Sequence, residues 1–345
     1  MPQLFEPLTI RGVTLRNRIM MSPMVQRSAL PDGLPTEWHL VHYATRAIGG
    51  VGLIMFEATA VESRGRITTS DLGLWNDRHI KPLAQIVAMC HEHGAAVGVQ
   101  LAHAGRKAWS DDRGHGPEQS VAPSAIAFDE GWLVPHALSE EEIQEVISAF
   151  RLATERARYA GFDVVELHAA HGYLINQFLS PLANCRQDSY GGSLENRLRF
   201  LRRVIEATRE VWEDRPLFVR VSATDYVPGG IDLNEMVLIA RALREAGVDL
   251  VDVSSGGITP LQPPSWPGYQ VPFAERIRRE AGIRTAAVGL ITSPEMAEEI
   301  VANGRADIVA LGRELLRNPY WPLQAAQALG ANITWPRQYQ RARRT

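Results

Sequence analysis

The chain has 345 residues, 45% of them hydrophobic and 22% charged, with a formal net charge of −3. That length fits one α/β barrel with insertions and supplies apolar surface for a large core, so disorder is not expected. The small net charge excludes a broad attraction to nucleic acid or anionic membrane and leaves small molecules as the expected partners.

The first residues, Met1 to Glu6, have no basic segment followed by an apolar run. No later stretch is long and apolar enough for a membrane span, so a cytoplasmic protein is expected. Cys90, in an apolar helical stretch, and Cys185, in a polar loop, do not suggest a disulfide framework. Strand and helical patterns then alternate along the chain. Strands are expected over 17–24, after Gly50, after Gly94, over 162–167, 216–222, 248–253, 285–289 and 306–311. Helices are expected over 36–48, 80–93, 139–160, 193–212, 233–246, 271–281, 293–303 and 314–328. Several strands follow a glycine that would end the preceding helix, where positive φ costs nothing. Ser139 with Glu142 forms a capping-box pattern, and Ser193 with Asn196 a weaker one. Eight alternations predict an α/β fold, a (β/α)8 TIM barrel forming one domain over 1–345. The irregular stretch 105–138, rich in Gly, Pro, Asp and Ser, follows the third strand and reads as an insertion capping the site.

Alternate residues of a barrel strand face the interior. By this parity Glu166 and His168 lie opposite Val165 and Leu167. Arg220 and Ser222 likewise lie opposite Val219 and Val221, Asp252 and Ser254 opposite Val251 and Val253, and Gln100 opposite Val99 and Leu101. A purely structural barrel would fill that face with Val, Ile and Leu, so these polar groups point to a ligand. Buried Arg220 needs a counter-charge, either Glu166 or a bound anionic group.

His168, His171 and Tyr173 sit at the end of the fourth strand. Two imidazole N–H groups converging on one oxygen would stabilise a developing enolate, and a phenol can protonate carbon. The alternative is a histidine pair satisfied by local backbone. A metal site from His168, His171, Cys185 and the run His91-Glu92-His93 is disfavoured, because that run belongs to the opposite rim. Gly289, after strand seven, and Gly312 with Arg313, after strand eight, read as a phosphate site. No dinucleotide-binding glycine fingerprint or Walker loop is present.

The sequence resembles the Old Yellow Enzyme family, and within it the bacterial NADPH-dependent ene-reductases with an arginine finger donated between subunits. The resemblance rests on Leu4-Phe5-Glu6-Pro7-Leu8, Asn17-Arg18-Ile19, Ser22-Pro23-Met24, the run from Gln100 to Lys107, the run from His168 to Leu174, Tyr190-Gly191-Gly192-Ser193 and Glu195-Asn196-Arg197. It implies bound FMN, with Ser22, Pro23, Met24, Ala58 and Gln100 along the isoalloxazine, Arg220 at its electron-rich edge, and Gly289, Gly312 and Arg313 on the phosphate. It also implies NADPH, or NADH in its place, as hydride source and an electrophilic alkene as acceptor. His168 and His171 would bind the acceptor's carbonyl or nitro oxygen, and Tyr173 would be the proton donor. Two positions depart from the family's pattern: Val25 replaces a cysteine and Arg27 a tyrosine. Arg27 is either solvent-facing or a contact for an anionic substrate group. Tyr339 and Arg341, in the basic run 337–344, match the segment that reaches a neighbouring subunit's site, which implies a homodimer or homotetramer. A tRNA-modifying FMN barrel is disfavoured by the charge balance and by Val25, and the iron–sulfur dienoyl-CoA reductases by the presence of two cysteines only. A flavin-binding protein that has lost activity is disfavoured by the two histidines and Tyr173.

Overall fold

The structure, a computed structural model, describes residues 1–343; Arg344, near the end of the basic run, lies outside the described residues. Eight parallel strands close into a barrel in chain order: β1 (Ile19–Met21), β2 (Leu53–Ala60), β3 (Ala96–Ala102), β4 (Val164–Ala169), β5 (Leu217–Ser222), β6 (Leu250–Ser254), β7 (Arg284–Ala287) and β8 (Ile308–Leu311). Pairing of β8 with β1, Val309 opposite Ile19, completes the ring. The surrounding helices are α1 (Glu37–Ile48), α2 (Ile80–Glu92), α3 (Glu140–Tyr159), α4 (Leu174–Leu179), α5 (Leu194–Val211), α6 (Leu233–Glu245), α7 (Val271–Ala281), α8 (Pro294–Ala302), α9 (Arg313–Arg317) and α10 (Trp321–Ala328). The capping box of α3 forms as expected: Ser139 N–H donates to Glu142 Oε2 at 2.7 Å, and Glu142 N–H to Ser139 Oγ at 3.2 Å.

The parity of the strands holds. Leu217, Val219, Val221, Val165, Leu167, Val251 and Val253 pack outward in the core shared with the helices. Phe218, Leu250, Val164, Met20, Leu53 and Ile308 instead fill the lower barrel. A hairpin unread in the sequence, Leu8–Ile10 paired with Val13–Leu15, adds Ile10 and Leu15 to that lower plug. Its two-residue turn, Arg11 (φ 40°) and Gly12 (φ 80°), suits the twist of a tight hairpin. With the lower end filled by apolar side chains, the polar interior residues collect at the C-terminal rim.

The helix expected over 314–328 is two helices, α9 and α10, because Pro319 lacks an amide N–H and disfavours helical backbone at Asn318 (φ −137°, ψ 89°). Helix α4 was also unread: its six residues, under two turns and all buried, Asn176 and Gln177 included, are too few to reveal a helical period. The insertion after β3 seats Trp109 (2% exposed) in a small cluster with Ala104, Ala108, Ile67 and Tyr173, so its first part covers the rim where the histidines emerge.

Candidate active site

Cross-strand register decides which interior polar groups meet. Gln100 lies opposite Glu166, while His168 lies opposite Arg220 and Arg220 opposite Asp252. Gln100 Nε2 accordingly donates to Glu166 Oε1 at 2.8 Å. The carboxylate directly opposite Arg220 is therefore Asp252, not Glu166, which was one of the two counter-charges considered: Nε lies 3.2 Å from Oδ2, without a hydrogen bond being formed. Glu166 stands level with Phe218, two residues lower on the ladder, so it makes no direct pair with Arg220, although the charge of Arg220 still reaches it. Burial, reinforced by Asp252, pushes the Glu166 carboxyl above its ordinary value.

His168 is 4% exposed, and its ring meets that of His171 at 5.1 Å and that of Tyr173 at 4.8 Å, both edge-on. The turn after β4 that brings them together is strained, since His171 holds φ +59°. Three contacts hold it. His171 N–H donates to Ser222 Oγ at 2.9 Å, Lys107 Nζ donates to His171 O at 2.9 Å and to Gly257 O at 3.2 Å, and Gly172 packs against the Gly257 carbonyl, leaving no room for a Cβ. Burial, reinforced by Arg220 and Lys107 among other groups, lowers the pKa of both histidines well below the ordinary value, so they are neutral donors and acceptors at neutral pH.

The hydrogen bonds fix the tautomer of His168. Ala170 N–H donates to His168 Nδ1 at 3.3 Å, which leaves the proton on Nε2. That Nε2–H points to His171 Nδ1 at 3.3 Å, and His171 Nε2–H then donates to Ser254 Oγ at 2.7 Å. The imidazoles are thus chained in this structure, not yet convergent. Ser254 serves either tautomer, because a hydroxyl can accept from Nε2–H or donate to Nε2. Burial, followed by Asp71, pushes the Tyr173 phenol well above its ordinary value, which keeps its proton in place.

Beside this cluster a cleft of about 140 Å³ is lined by Arg220, Ser254, Gln270, Gly289, Gly312 and Arg313. Gly289 (φ 131°) and Gly312 open its floor, and a Cβ on Gly312 would face Met24 Sδ at 3.6 Å and Ser22 Cβ at 4.0 Å. Ser22, Met24 and the residues after β8 therefore share one wall. Ala58 pairs with Gln100 after a bulge in β2. Ser22 Oγ is buried without a partner, and the guanidinium groups of Arg220 and Arg313 make no hydrogen bond to any described residue. A guanidinium without a partner among the described residues (Arg313), a second that keeps all its hydrogen-bond donors free beside Asp252 (Arg220) and a buried orphan hydroxyl on one glycine-floored cleft match the needs of a phosphorylated, electron-rich ring system such as FMN. A larger cavity, about 1030 Å³, lies away from this chemistry between α10 and the C-terminal tail.

The two arginines expected on the substrate side are placed differently. Arg27 is brought to the mouth, where Nη1 donates to Asp111 Oδ1 of the insertion at 2.9 Å. Arg341 is not brought to the site: it lies exposed in the turn Arg337–Ala342, while Tyr339 contacts Tyr320 on the chain's own flank. Lys107, Ser254, Ser222 and Asp252 were given no individual role in the sequence. Parity had already put the last three on the interior face, but only the register shows what they touch. His91, considered as a metal ligand, pairs with Asp163 at 2.7 Å. Among the described residues, no three His, Cys, Asp or Glu side chains form a metal-holding group, and no helix is long and apolar enough to cross a membrane.

A phosphate-ready cleft at the C-terminal rim of a TIM barrel, next to neutral histidines and a protonated phenol, defines the class: a flavin-dependent oxidoreductase. Over residues 3–332 the chain matches the NADH:flavin oxidoreductase / NADH oxidase family, and it belongs to that family. It is 56% identical over 339 residues to an NADPH dehydrogenase of Geobacillus sp. (strain WCH70), covering 98% of both chains. Among solved structures, morphinone reductase superposes with a TM-score of 0.82 at 30% identity, covering 97% of this chain and 91% of the other. The Old Yellow Enzyme homologue of Zymomonas mobilis gives 0.80 at 29% identity, covering 97% and 94%. The chain is accordingly an oxidoreductase of the Old Yellow Enzyme type, with FMN and NADPH as its cofactors.

Proposed function

We propose that the chain is an ene-reductase that reduces the activated C=C bond of α,β-unsaturated carbonyl or nitro compounds at the expense of NADPH, with NADH as an alternative donor. The observation that carries this reading is the close packing of His168, His171 and Tyr173 beside the cleft lined by Arg220 and Arg313. Bound FMN would supply the hydride chemistry between nicotinamide and alkene; Ser22, Pro23, Met24, Ala58, Gln100 and Arg220 would hold its ring, and Gly289, Gly312 and Arg313 its phosphate.

His168 and His171 bind and polarise the acceptor oxygen. With Ser254 donating to His171 Nε2, both imidazoles present an N–H to that oxygen and stabilise the charge that develops on it. Tyr173 O–H gives its proton to the α-carbon. One domain does this work in the cytoplasm, and in a homodimer or homotetramer the tail with Tyr339 and Arg341 is exchanged so that Arg341 closes the neighbouring site. The test is turnover of cyclohexenone with NADPH in deuterium oxide. One solvent deuterium at the α-carbon of the cyclohexanone and none at the β-carbon is expected; deuterium at the β-carbon, or no cyclohexanone, overturns the reading.

A further inference from the structure

The mouth of the site carries a charge pair with no catalytic assignment. Arg27 sits in the segment after β1, in left-handed backbone (φ +52°), and its guanidinium reaches across to Asp111 in the insertion. Asp111 lies two residues beyond Trp109, which packs with Tyr173, so the pair spans the mouth on the phenol side of the site. Arg27 is also close enough for its charge to act on both the Tyr173 phenol and Asp71.

Both partners of this pair have 56% of the side chain exposed. An ion pair in that setting is worth little, roughly 0–1 kcal/mol, and a better-placed anion displaces it. Lys107, a second cation on the phenol side, already donates to two backbone carbonyls, whereas Arg27 donates only to Asp111 among the described residues. A guanidinium presents a fork of donors, and this one spends a single hydrogen bond on Asp111.

We propose that Arg27 is a specificity residue that selects acceptors bearing a carboxylate beyond the reacting alkene, and that Asp111 is the built-in competitor which such a carboxylate displaces. The acceptor's carbonyl oxygen lies at His168 and His171, its α-carbon at Tyr173, and its acidic arm runs outward past the phenol to Arg27. This rests on the ene-reductase reading and adds the charge of the substrate to it. Asp111 also sets a threshold, since neutral molecules leave the pair closed across the mouth while acids open it.

The test uses the full-length, flavin-loaded enzyme and three acceptors: cyclohexenone, a cyclohexenone with a carboxymethyl arm, and the methyl ester of that acid. The acid is expected to have the lower KM, with a preference over the ester that shrinks as salt rises. Asp111→Asn frees Arg27, lowering KM for the acid by about two- to fivefold, the range open to an exposed ion pair, and leaving the ester as it was. Arg27→Gln reduces the acid-to-ester ratio of kcat/KM by about five- to tenfold, as loss of a charged hydrogen bond allows. The saturated acid, titrated by its perturbation of the flavin spectrum, follows the same order of affinities without turnover. Equal KM for acid and ester, or a preference for the acid that survives Arg27→Gln or ignores Asp111→Asn, overturns the proposal. Failure of cyclohexenone itself to turn over would instead count against the ene-reductase reading.

Discussion

Changing Tyr173 to Phe removes a single oxygen atom, and the structure separates what that does to the fold from what it does to the chemistry. The phenol oxygen makes no hydrogen bond to any described residue, while the ring packs against His168 at 4.8 Å and lies under Lys107 Nζ at 5.2 Å. Phe keeps both ring contacts, so stability should move by no more than about 0.5 kcal/mol, and FMN content should match the parent. On the proposed mechanism the chemistry loses its proton source. Loss of a positioned general acid typically costs ~10²–10⁴ in rate, or about 2.7–5.4 kcal/mol in the barrier. Because burial holds the phenol well above its ordinary pKa, the parent enzyme should keep this proton across the neutral and mildly alkaline range. The assay is anaerobic stopped-flow absorbance of the flavin, with reduction by NADPH and reoxidation by cyclohexenone followed separately. The slowing should fall on reoxidation. Reoxidation within about threefold of the parent rate, or equal slowing of both halves, would refute the role given to Tyr173.

Gly172→Ala brings a Cβ to 2.1 Å from the Gly257 carbonyl at φ +73°, so thermal melts should show one of the larger single-residue losses, above about 3 kcal/mol, together with impaired acceptor binding. Ser254→Ala strands His171 Nε2, and leaving a buried polar atom unpaired costs about 1–3 kcal/mol. KM for cyclohexenone should therefore rise several-fold with FMN held saturating. Arg313→Ala should weaken FMN binding by about tenfold or more in fluorescence titrations of the apoprotein, the loss expected for one charged hydrogen bond to phosphate. Burial pushes the Glu57 carboxyl up to about 8, against donation from Gln26 N–H and Tyr43 O–H. A carboxyl raised in the fold contributes stability that is full below its unfolded pKa and is lost as pH rises through about 8. Buried histidines with lowered pKa values act in the opposite sense, so the readout is the difference between parent and Glu57→Gln: in urea unfolding of the two apoproteins, the parent should lose a few kcal/mol relative to the variant between about pH 5 and about pH 9.

Much of the site was legible because barrel geometry turns sequence parity into position. Once the strand ending at His168 was aligned, the interior placement of Glu166, Arg220, Asp252, Ser254 and Gln100 followed from a period of two. Register did not follow. Whether Arg220 faces Glu166 or Asp252 depends on the stagger between neighbouring strands, which alternation within one strand does not encode. Helix α4 was hidden because six residues make under two turns, and its polar Asn176 and Gln177 are buried with the rest, so no exposed stripe marks a period. The three contacts that hold His171 in left-handed backbone come from Ser222, Lys107 and Gly257, all distant in sequence from the turn they brace. Departures from the family's pattern were readable as residues but not as contacts. Arg27 gained meaning only when Asp111, 84 positions away, was found across the mouth.

The most direct test of the whole account is an anaerobic titration of the purified protein. It should carry the yellow spectrum of bound FMN, bleach when one equivalent of NADPH is added, and regain its colour on addition of cyclohexenone with formation of cyclohexanone. A protein that binds no flavin, or whose bleached flavin no activated alkene reoxidises, would contradict it.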